Sequence, residues 1–228
     1  MSENLQYIHR SLSTILPHDT ERKLVLITGA RQTGKTTLAK KAYPHLQYIN
    51  FDSPEIRLRV KKIATTNWPL DIGTAILDEV QKAPEVFEKI KYCFDEQSIN
   101  FSLLLGSSQI LLLKNIRESL AGRIWIYELW PFMLQELIQM DKNTAKPLFA
   151  QLLESDSPLS LLGQQPSVII DQKDTMNKKA EDYLLQWGGM PALRYSTTST
   201  VAFAGNEFIF SPSKIASTVT IALYTPAF

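Results

Sequence analysis

Residues 29–36 read Gly29-Ala30-Arg31-Gln32-Thr33-Gly34-Lys35-Thr36, a full G-x-x-x-x-G-K-[ST] run, and its flanks restrict the fold more than any other stretch. Leu24-Val25-Leu26-Ile27 ahead of it is apolar and β-rich, as a buried strand is. Thr36-Thr37-Leu38-Ala39-Lys40-Lys41-Ala42 behind it suits a helix. Strand, glycine loop and helix N-terminus make an anion site, because unpaired backbone N–H groups and the positive end of the helix dipole converge there. Gly29 and Gly34 let the backbone curl and approach a phosphate with no Cβ in the way. The segment from Gly29 to Thr37 is therefore the expected cradle for a nucleoside triphosphate. Lys35 is expected to reach the β- and γ-phosphates, and the Thr36 hydroxyl to hold Mg²⁺.

The rest of the composition narrows the setting. The chain has 228 residues, 44% of them hydrophobic, enough for one large domain or one domain with appendages. Its formal charge of +1 gives no general field toward nucleic acid, which stays a partner without support from charge. The local run Arg57, Arg59, Lys61 and Lys62 reads first as a solvated helix face. The one cysteine, Cys93, lies in a helical pattern with Ile90 and Phe94 and is expected to be a small buried hydrophobe. With no partner for a disulfide in the chain, a reducing compartment fits. Met1 to Arg10 is too polar for a signal peptide. The most apolar stretch, Phe101 to Leu113, is broken by Gly106-Ser107-Ser108-Gln109 and falls short of the ~20 residues of a membrane span. A cytoplasmic protein with no membrane partner is expected.

Along the chain, Leu5, Ile8, Leu12 and Ile15 or Leu16 have helical spacing, ended by Pro17. After the glycine loop, Pro44 stops the first core helix near Tyr43. Strands are expected at Gln47–Phe51, Thr74–Leu77, Phe101–Leu105 and Ile124–Leu129. Helices are expected at Glu55–Ile63, Pro84–Glu96 and Gln109–Leu120. Alternating strands and helices imply an α/β fold, a three-layer parallel sheet flanked by helices. Beyond Pro131, helices are expected at Phe132–Met140, Pro147–Leu153 and Lys178–Trp187, with a softer segment at Ser155–Gln165. The expected division is a nucleotide-binding domain over 1–140, a partial helical region over 141–195 and a tail over 196–228. In that tail only Glu207 and Lys214 are charged, and it is expected to be disordered or poorly packed.

Phosphate binding alone does not separate a kinase, a GTPase and an ATPase. The third strand ends in Ile76-Leu77-Asp78-Glu79, an apolar run followed by two acids, about 40 residues downstream of the loop. Side chains alternate at a strand end, so the two acids can do different work. Asp78 would serve the Mg²⁺ beside Thr36, and Glu79 would polarise the attacking water. At the end of the fourth strand, Ser107 and Ser108 either contact the γ-phosphate or the water as a sensor, or cap the next helix. Arg31, Arg117 and Arg123 are the candidates to offset charge developing on the γ-phosphate. Arg123 would act from this subunit or a neighbour, or else form a structural ion pair.

These motifs together resemble the prokaryotic AAA-type P-loop ATPases of unknown cellular role. The resemblance is carried by Ile27 to Thr37, Asn50-Phe51-Asp52, Leu77-Asp78-Glu79-Val80-Gln81, Leu105-Gly106-Ser107-Ser108, Ser119-Leu120-Ala121-Gly122-Arg123 and Leu129-Trp130-Pro131-Phe132. It covers roughly residues 5–195 in matching order. It implies an AAA-like sheet in which the strand bearing Ser107 lies between the acidic strand and the loop strand. Family members are typically longer and carry a further C-terminal domain. The Ser/Thr-rich tail does not look like the family, as in a truncated or frame-shifted member.

The function expected from this is a Mg²⁺-dependent ATP hydrolase coupling turnover to conformational change, with ATP and Mg²⁺ as cofactors and a homo-oligomer left open. The alternative is a non-catalytic ATP-binding module. A small-molecule kinase is disfavoured, since no arginine-rich lid follows the fourth strand. A GTPase is disfavoured too, since Asn177-Lys178-Lys179-Ala180 lacks the Asp of a guanine-reading motif.

Overall fold

Five short apolar runs pair, all in parallel, in the order β2-β3-β4-β1-β5. They are β1 (Lys23–Thr28), β2 (Gln47–Asn50), β3 (Ala75–Asp78), β4 (Phe101–Leu105) and β5 (Ile124–Glu128). The structure is a computed structural model that describes residues 7–107, 116, 119–138, 148–163 and 172–191. All of these lie within one compact unit, Met1–Pro191. The expected order holds: β4 separates the acidic strand β3 from the loop strand β1.

Burial explains why the central strands read as continuous apolar runs. Every residue of β3 and β4, and all of β1 but Lys23, is buried, so both faces of the sheet are covered. On one face, Leu24, Leu26, Leu77 and Leu104 pack with Val60, Trp68, Phe87, Ile90 and Phe94. Those partners come from α2 (Pro54–Lys62), α3 (Trp68–Asp71) and α4 (Glu85–Asp95). On the other face, Val25, Ile27, Ile76 and Leu103 pack with Leu38, Ala39 and Tyr43 of and after α1 (Lys35–Ala42). Cys93 sits in the first of these cores, as expected. The edge strands are less buried, and Trp125 and Ile126 of β5 are exposed.

Beyond the sheet come α5 (Leu134–Ile138), α6 (Leu148–Glu154), α7 (Pro158–Gly163) and α8 (Gln172–Trp187). A third cluster joins Ile8 of the leader to Phe132, Leu137 and Ala180, so α5, α8 and the leader share one small core. Among the described residues no helix is long and apolar enough to cross a membrane.

Several expectations need correction. The leader from Tyr7 is not a helix; only Ser11–Thr14 makes a 3-10 turn, and Arg10 is extended at φ −95°, ψ 132°. The softer segment contains α7, which begins at a proline, where a missing N–H costs nothing. The last helix starts at Gln172 rather than Lys178, and the four-residue α3 was not anticipated. Arg57 is not simply solvated: its guanidinium donates to the carbonyls of Phe51 and Asp52 at 2.6 and 2.9 Å, while Arg59, Lys61 and Lys62 are exposed. The helix expected over Gln109–Leu120, apart from Ile116, Ser119 and Leu120, and the tail from Ser196 lie outside the described residues.

Candidate functional site

In a parallel sheet every strand points its C-terminal end the same way, so Thr28, Asp78 and Leu105 finish along one rim. Ligand sites of open α/β sheets form beyond that rim. The glycine loop leaves β1 there. Gly29 has φ +149°, and a Cβ on it would collide with the Leu129 carbonyl oxygen just past β5. The chain itself therefore dictates glycine at this position, before any phosphate is considered. Gly34 has φ +91° and serves as the N-cap of α1 with no side-chain cap. The first N–H groups of α1 have no partner within the helix, which leaves them to a ligand. Ala30, Arg31, Gln32 and Thr37 are exposed, while Thr33 is buried with its hydroxyl donating to the Ala30 carbonyl at 3.0 Å.

Lys35 is buried, and its Nζ donates to the carbonyls of Gly29 at 3.0 Å and Ala30 at 2.7 Å. The cation is thus folded back over the loop. Burial pushes its pKa below the usual lysine value, opposed by the nearby charges of Glu79 and Asp78 and reinforced by Arg31.

The two oxygens expected to serve a metal meet across 42 positions: Thr36 Oγ1 donates to Asp78 Oδ2 at 2.7 Å. Asp78 is 5% exposed and both of its carboxylate oxygens accept hydrogen bonds. Oδ2 also accepts from the Tyr48 hydroxyl at 2.8 Å, and Oδ1 accepts from the Glu79 N–H at 2.9 Å. Tyr48 stands on β2 opposite Ile76, and Asn50 opposite Asp78, so Tyr48 reaches Asp78 as a diagonal cross-strand neighbour. Burial, then its bond to Asp78, raises the Tyr48 pKa, so this hydroxyl stays a donor. Hard oxygen donors of this kind, with phosphate oxygens and water completing the shell, suit Mg²⁺. The residues present fit the ion.

Glu79 departs from strand geometry at once. Its φ of 57° places it in the left-handed region, which costs an L-residue roughly 1–2 kcal/mol. The N–H bond to Asp78 and a bond from the Lys82 N–H to the Glu79 carbonyl at 3.0 Å hold it there. Its carboxylate accepts a short hydrogen bond from Gln81. Strain of this kind gathers at functional positions.

Ser107 follows β4 on the same rim, buried, with its hydroxyl unpartnered among the described residues. Ser108 and Arg117 lie outside the described residues. Arg123 is not brought to the loop of its own chain. It precedes β5 and grips Asp95 with Nε at 2.6 Å and Nη2 at 3.0 Å. That end of the five-residue strand lies about 16 Å from the rim.

Sequence reasoning missed Arg10. It is 4% exposed and donates from Nη1 to the Thr33 carbonyl in the phosphate loop at 2.7 Å. Nη2 reaches the Trp130 carbonyl at 2.5 Å, and Nε reaches Glu136 Oε2 at 3.0 Å. The available signal was a cation beside the apolar stripe of Ile8 and Leu12. Tyr48 was read only as a strand residue, though alternation puts it on the face of Asp78. A cavity of about 460 Å³ lies away from the loop, between the leader and α1, lined by His9, Leu38, Lys41, Tyr43 and His45 among others.

Fold and site together define a P-loop nucleotide-binding protein of the AAA class. The profile of one family of AAA domains, AAA_14, matches residues 21–138, and the chain belongs to this family. Two uncharacterized proteins, Rv2008c of Mycobacterium tuberculosis and Mb2031c of Mycobacterium bovis, are each 33% identical over 109 residues. The match takes in 46% of this chain and 24% of theirs, so the chain spans about a quarter of the length of these curated relatives. Among solved structures, a STAND-type signal transduction ATPase with a tetratricopeptide repeat sensor from Pyrococcus horikoshii aligns at TM-score 0.37 and 15% identity, covering 79% of this chain and 33% of that one. AMPPCP-bound DnaA from Aquifex aeolicus aligns at TM-score 0.38 and 13% identity, covering 77% and 59%. These are distant likenesses.

Proposed function

We propose that the chain is a Mg²⁺-dependent ATP hydrolase of the AAA type that couples turnover to conformational change. The observation that carries this reading is the Thr36–Asp78 contact at 2.7 Å, with Lys35 and Glu79 beside it on the same rim. In this reading Gly29 to Thr37 wrap the phosphates, and Lys35 exchanges its loop carbonyls for β- and γ-phosphate oxygens. Thr36 and Asp78 would hold Mg²⁺, Thr36 through its hydroxyl and Asp78 through its shell. Glu79 takes a proton from the attacking water, and Ser107 offers its hydroxyl to the γ-phosphate or that water. When bound there, Mg²⁺ would supply neutralisation of the charge on the phosphate oxygens. ATP is preferred over GTP for want of a guanine-reading Asp.

The test is phosphate release from ATP with Mg²⁺ and with EDTA, in the unaltered chain and in Glu79→Gln. The variant keeps size and hydrogen bonding but loses basicity. It is expected to bind Mg²⁺-ATP normally and to turn it over ~10²–10⁴-fold more slowly. An unaltered chain that binds Mg²⁺-ATP and releases no phosphate would establish a binding module instead.

A further inference from the structure

We propose that Arg10 is a positioning residue of the nucleotide site, which turns the Gly34 N–H toward the phosphates by holding the carbonyl of the same peptide group. The inference rests on the reading of Gly29 to Thr37 as the phosphate cradle. Arg10 Nη1 donates to the Thr33 carbonyl at 2.7 Å. In a trans peptide the carbonyl and the following N–H point in opposite directions. A guanidinium that occupies the Thr33 carbonyl therefore leaves the Gly34 N–H facing away from Arg10. An anion is an acceptor and can meet this peptide only through that N–H, which joins the unpaired N–H groups at the start of α1.

The loop itself does not fix this peptide. Glycine adopts φ of either sign, so the plane ahead of Gly34 can rotate at little cost. Gly34 serves as the N-cap of α1 with no side-chain cap to hold it. Space does not dictate glycine there: a Cβ would lie 3.7 Å from Arg10 Nη1 and 3.8 Å from Pro191 Cγ, ordinary contacts. The φ of +91° does. Two positions earlier, Gln32 is also left-handed at φ 64°, which an L-residue keeps only under constraint. Thr33, between them, is pinned from two sides. Its hydroxyl donates to the Ala30 carbonyl at 3.0 Å, and its own carbonyl accepts from Arg10.

Arg10 suits the task because its other donors fix it. Nε meets Glu136 Oε2 at 3.0 Å, and Nη2 meets the carbonyls of Trp130 at 2.5 Å and Pro131 at 3.3 Å. The guanidinium carbon lies 4.8 Å from the centre of the Phe132 ring, and the residue is 4% exposed. A planar fork held at three other points cannot follow the Thr33 carbonyl if that peptide turns. The turn would instead strand a buried carbonyl and a buried N–H of the guanidinium, so the peptide stays in one orientation before any ligand arrives. Such preorganisation strengthens binding by removing an ordering cost.

The experiment compares Arg10→Met, Glu136→Leu and the double variant in the full chain, reading melting temperature and, by calorimetry, affinity for Mg²⁺·AMPPNP and Mg²⁺·ADP. Both single variants break the same buried pair and lower the melting temperature, but Glu136→Leu leaves the bond to Thr33 in place. The expected result is that Arg10→Met weakens both nucleotides by roughly 10-fold, the order of one hydrogen bond to a charged group, whereas Glu136→Leu keeps affinity within about twofold. The double variant, with no stranded charge, recovers melting temperature and stays as weak as Arg10→Met. Affinity that instead follows the melting temperature, low in both single variants and restored in the double, assigns Arg10 to the fold and overturns the proposal; so does failure of both Arg10 variants to fold. Undiminished affinity in both Arg10 variants overturns it while leaving the phosphate-loop reading intact. An unaltered chain that binds neither nucleotide overturns both.

Discussion

Arg10 and Glu136, 126 positions apart, meet at 3.0 Å with only 4% and 2% of their side chains exposed. Each end of the pair is tied further. Glu136 accepts the Ser11 N–H at 2.7 Å and the Met133 N–H at 3.2 Å. Arg10 lies over the Phe132 ring and holds the Thr33 carbonyl. The leader, the segment after β5 and the phosphate loop are therefore joined through one guanidinium. A buried pair gains from its satisfied hydrogen bonds and loses heavily when one partner is removed.

Arg10→Met is accordingly expected to destabilise the chain by about 3–5 kcal/mol, because it strands Glu136 as a buried charge. Glu136→Leu should cost a similar amount, and the double variant should cost less than the sum of the two. Urea unfolding of the four proteins in a cycle checks this. Equal and additive small losses would mean that the pair is energetically idle.

The glycine loop and the central strands were legible because their signals are local. Leu24 to Ile27 and Phe101 to Leu105 are buried on both faces and so read as unbroken apolar runs. The rim carrying Lys35, Thr36, Asp78 and Glu79 followed from the spacing of two motifs. Arg10 was illegible because its conformation is decided by acceptors at Thr33, Trp130 and Glu136, and nothing near it in sequence announces them. Local apolar spacing favoured a leader helix, and tertiary bonding overrode it. Gly29 was read as room for phosphate, whereas the Leu129 carbonyl already demands it. Arg123, after Gly122, reads either as a finger for this subunit or a neighbour or as a structural ion pair, and within its own chain it makes the ion pair, with Asp95 at the far end of β5.

Tyr48→Phe removes one of two hydroxyl donors to Asp78 Oδ2 and leaves the strand intact. Groups that orient metal ligands typically govern affinity by 10–100-fold. The Mg²⁺ concentration giving half-maximal nucleotide binding is expected to rise about 10-fold, with little change in nucleotide affinity in EDTA. A Mg²⁺ dependence equal to that of the unaltered chain would show that Thr36 and the Glu79 N–H suffice to hold Asp78.

Tyr43 and Tyr48 both have pKa values raised above the usual tyrosine value, in each case chiefly by burial. The Tyr43 hydroxyl also donates to the Pro17 carbonyl at 2.6 Å. In the unfolded chain both lose their protons near pH 10, while the native state keeps them. Their contribution is complete below pH about 10 and is lost as pH climbs toward the native values. Denaturant midpoints should therefore fall between about pH 9.5 and 11.5. The fall should be shallower in Tyr43→Phe/Tyr48→Phe; an identical slope would assign it to other groups.

Lys35→Ala removes the cation that the loop carbonyls of Gly29 and Ala30 hold in readiness. Its contacts are local, so the fold should survive by circular dichroism. Nucleotide binding should not, because the other buried cation at the loop, Arg10, is already engaged with the Thr33 and Trp130 carbonyls and Glu136. A fluorescent ATP analogue titrated against both proteins measures the difference, and undiminished affinity in the variant would overturn the phosphate-loop assignment.

Arg123→Ala addresses the finger role. In its own chain Arg123 holds Asp95 through two hydrogen bonds at the opposite end of β5 from the loop, and that pair is exposed to solvent. Solvent screens such a pair, so its loss should leave the fold intact. Nucleotide affinity is expected to be unchanged, since no side chain near the phosphates moves. Any part in turnover would have to be played at a neighbour's nucleotide, and it would then grow with association. The measurement is phosphate release per chain over a wide range of protein concentration. Parallel curves for the two proteins are expected if Arg123 serves the fold alone. A rate that climbs with concentration in the unaltered chain and stays flat in the variant would instead place Arg123 across a subunit boundary.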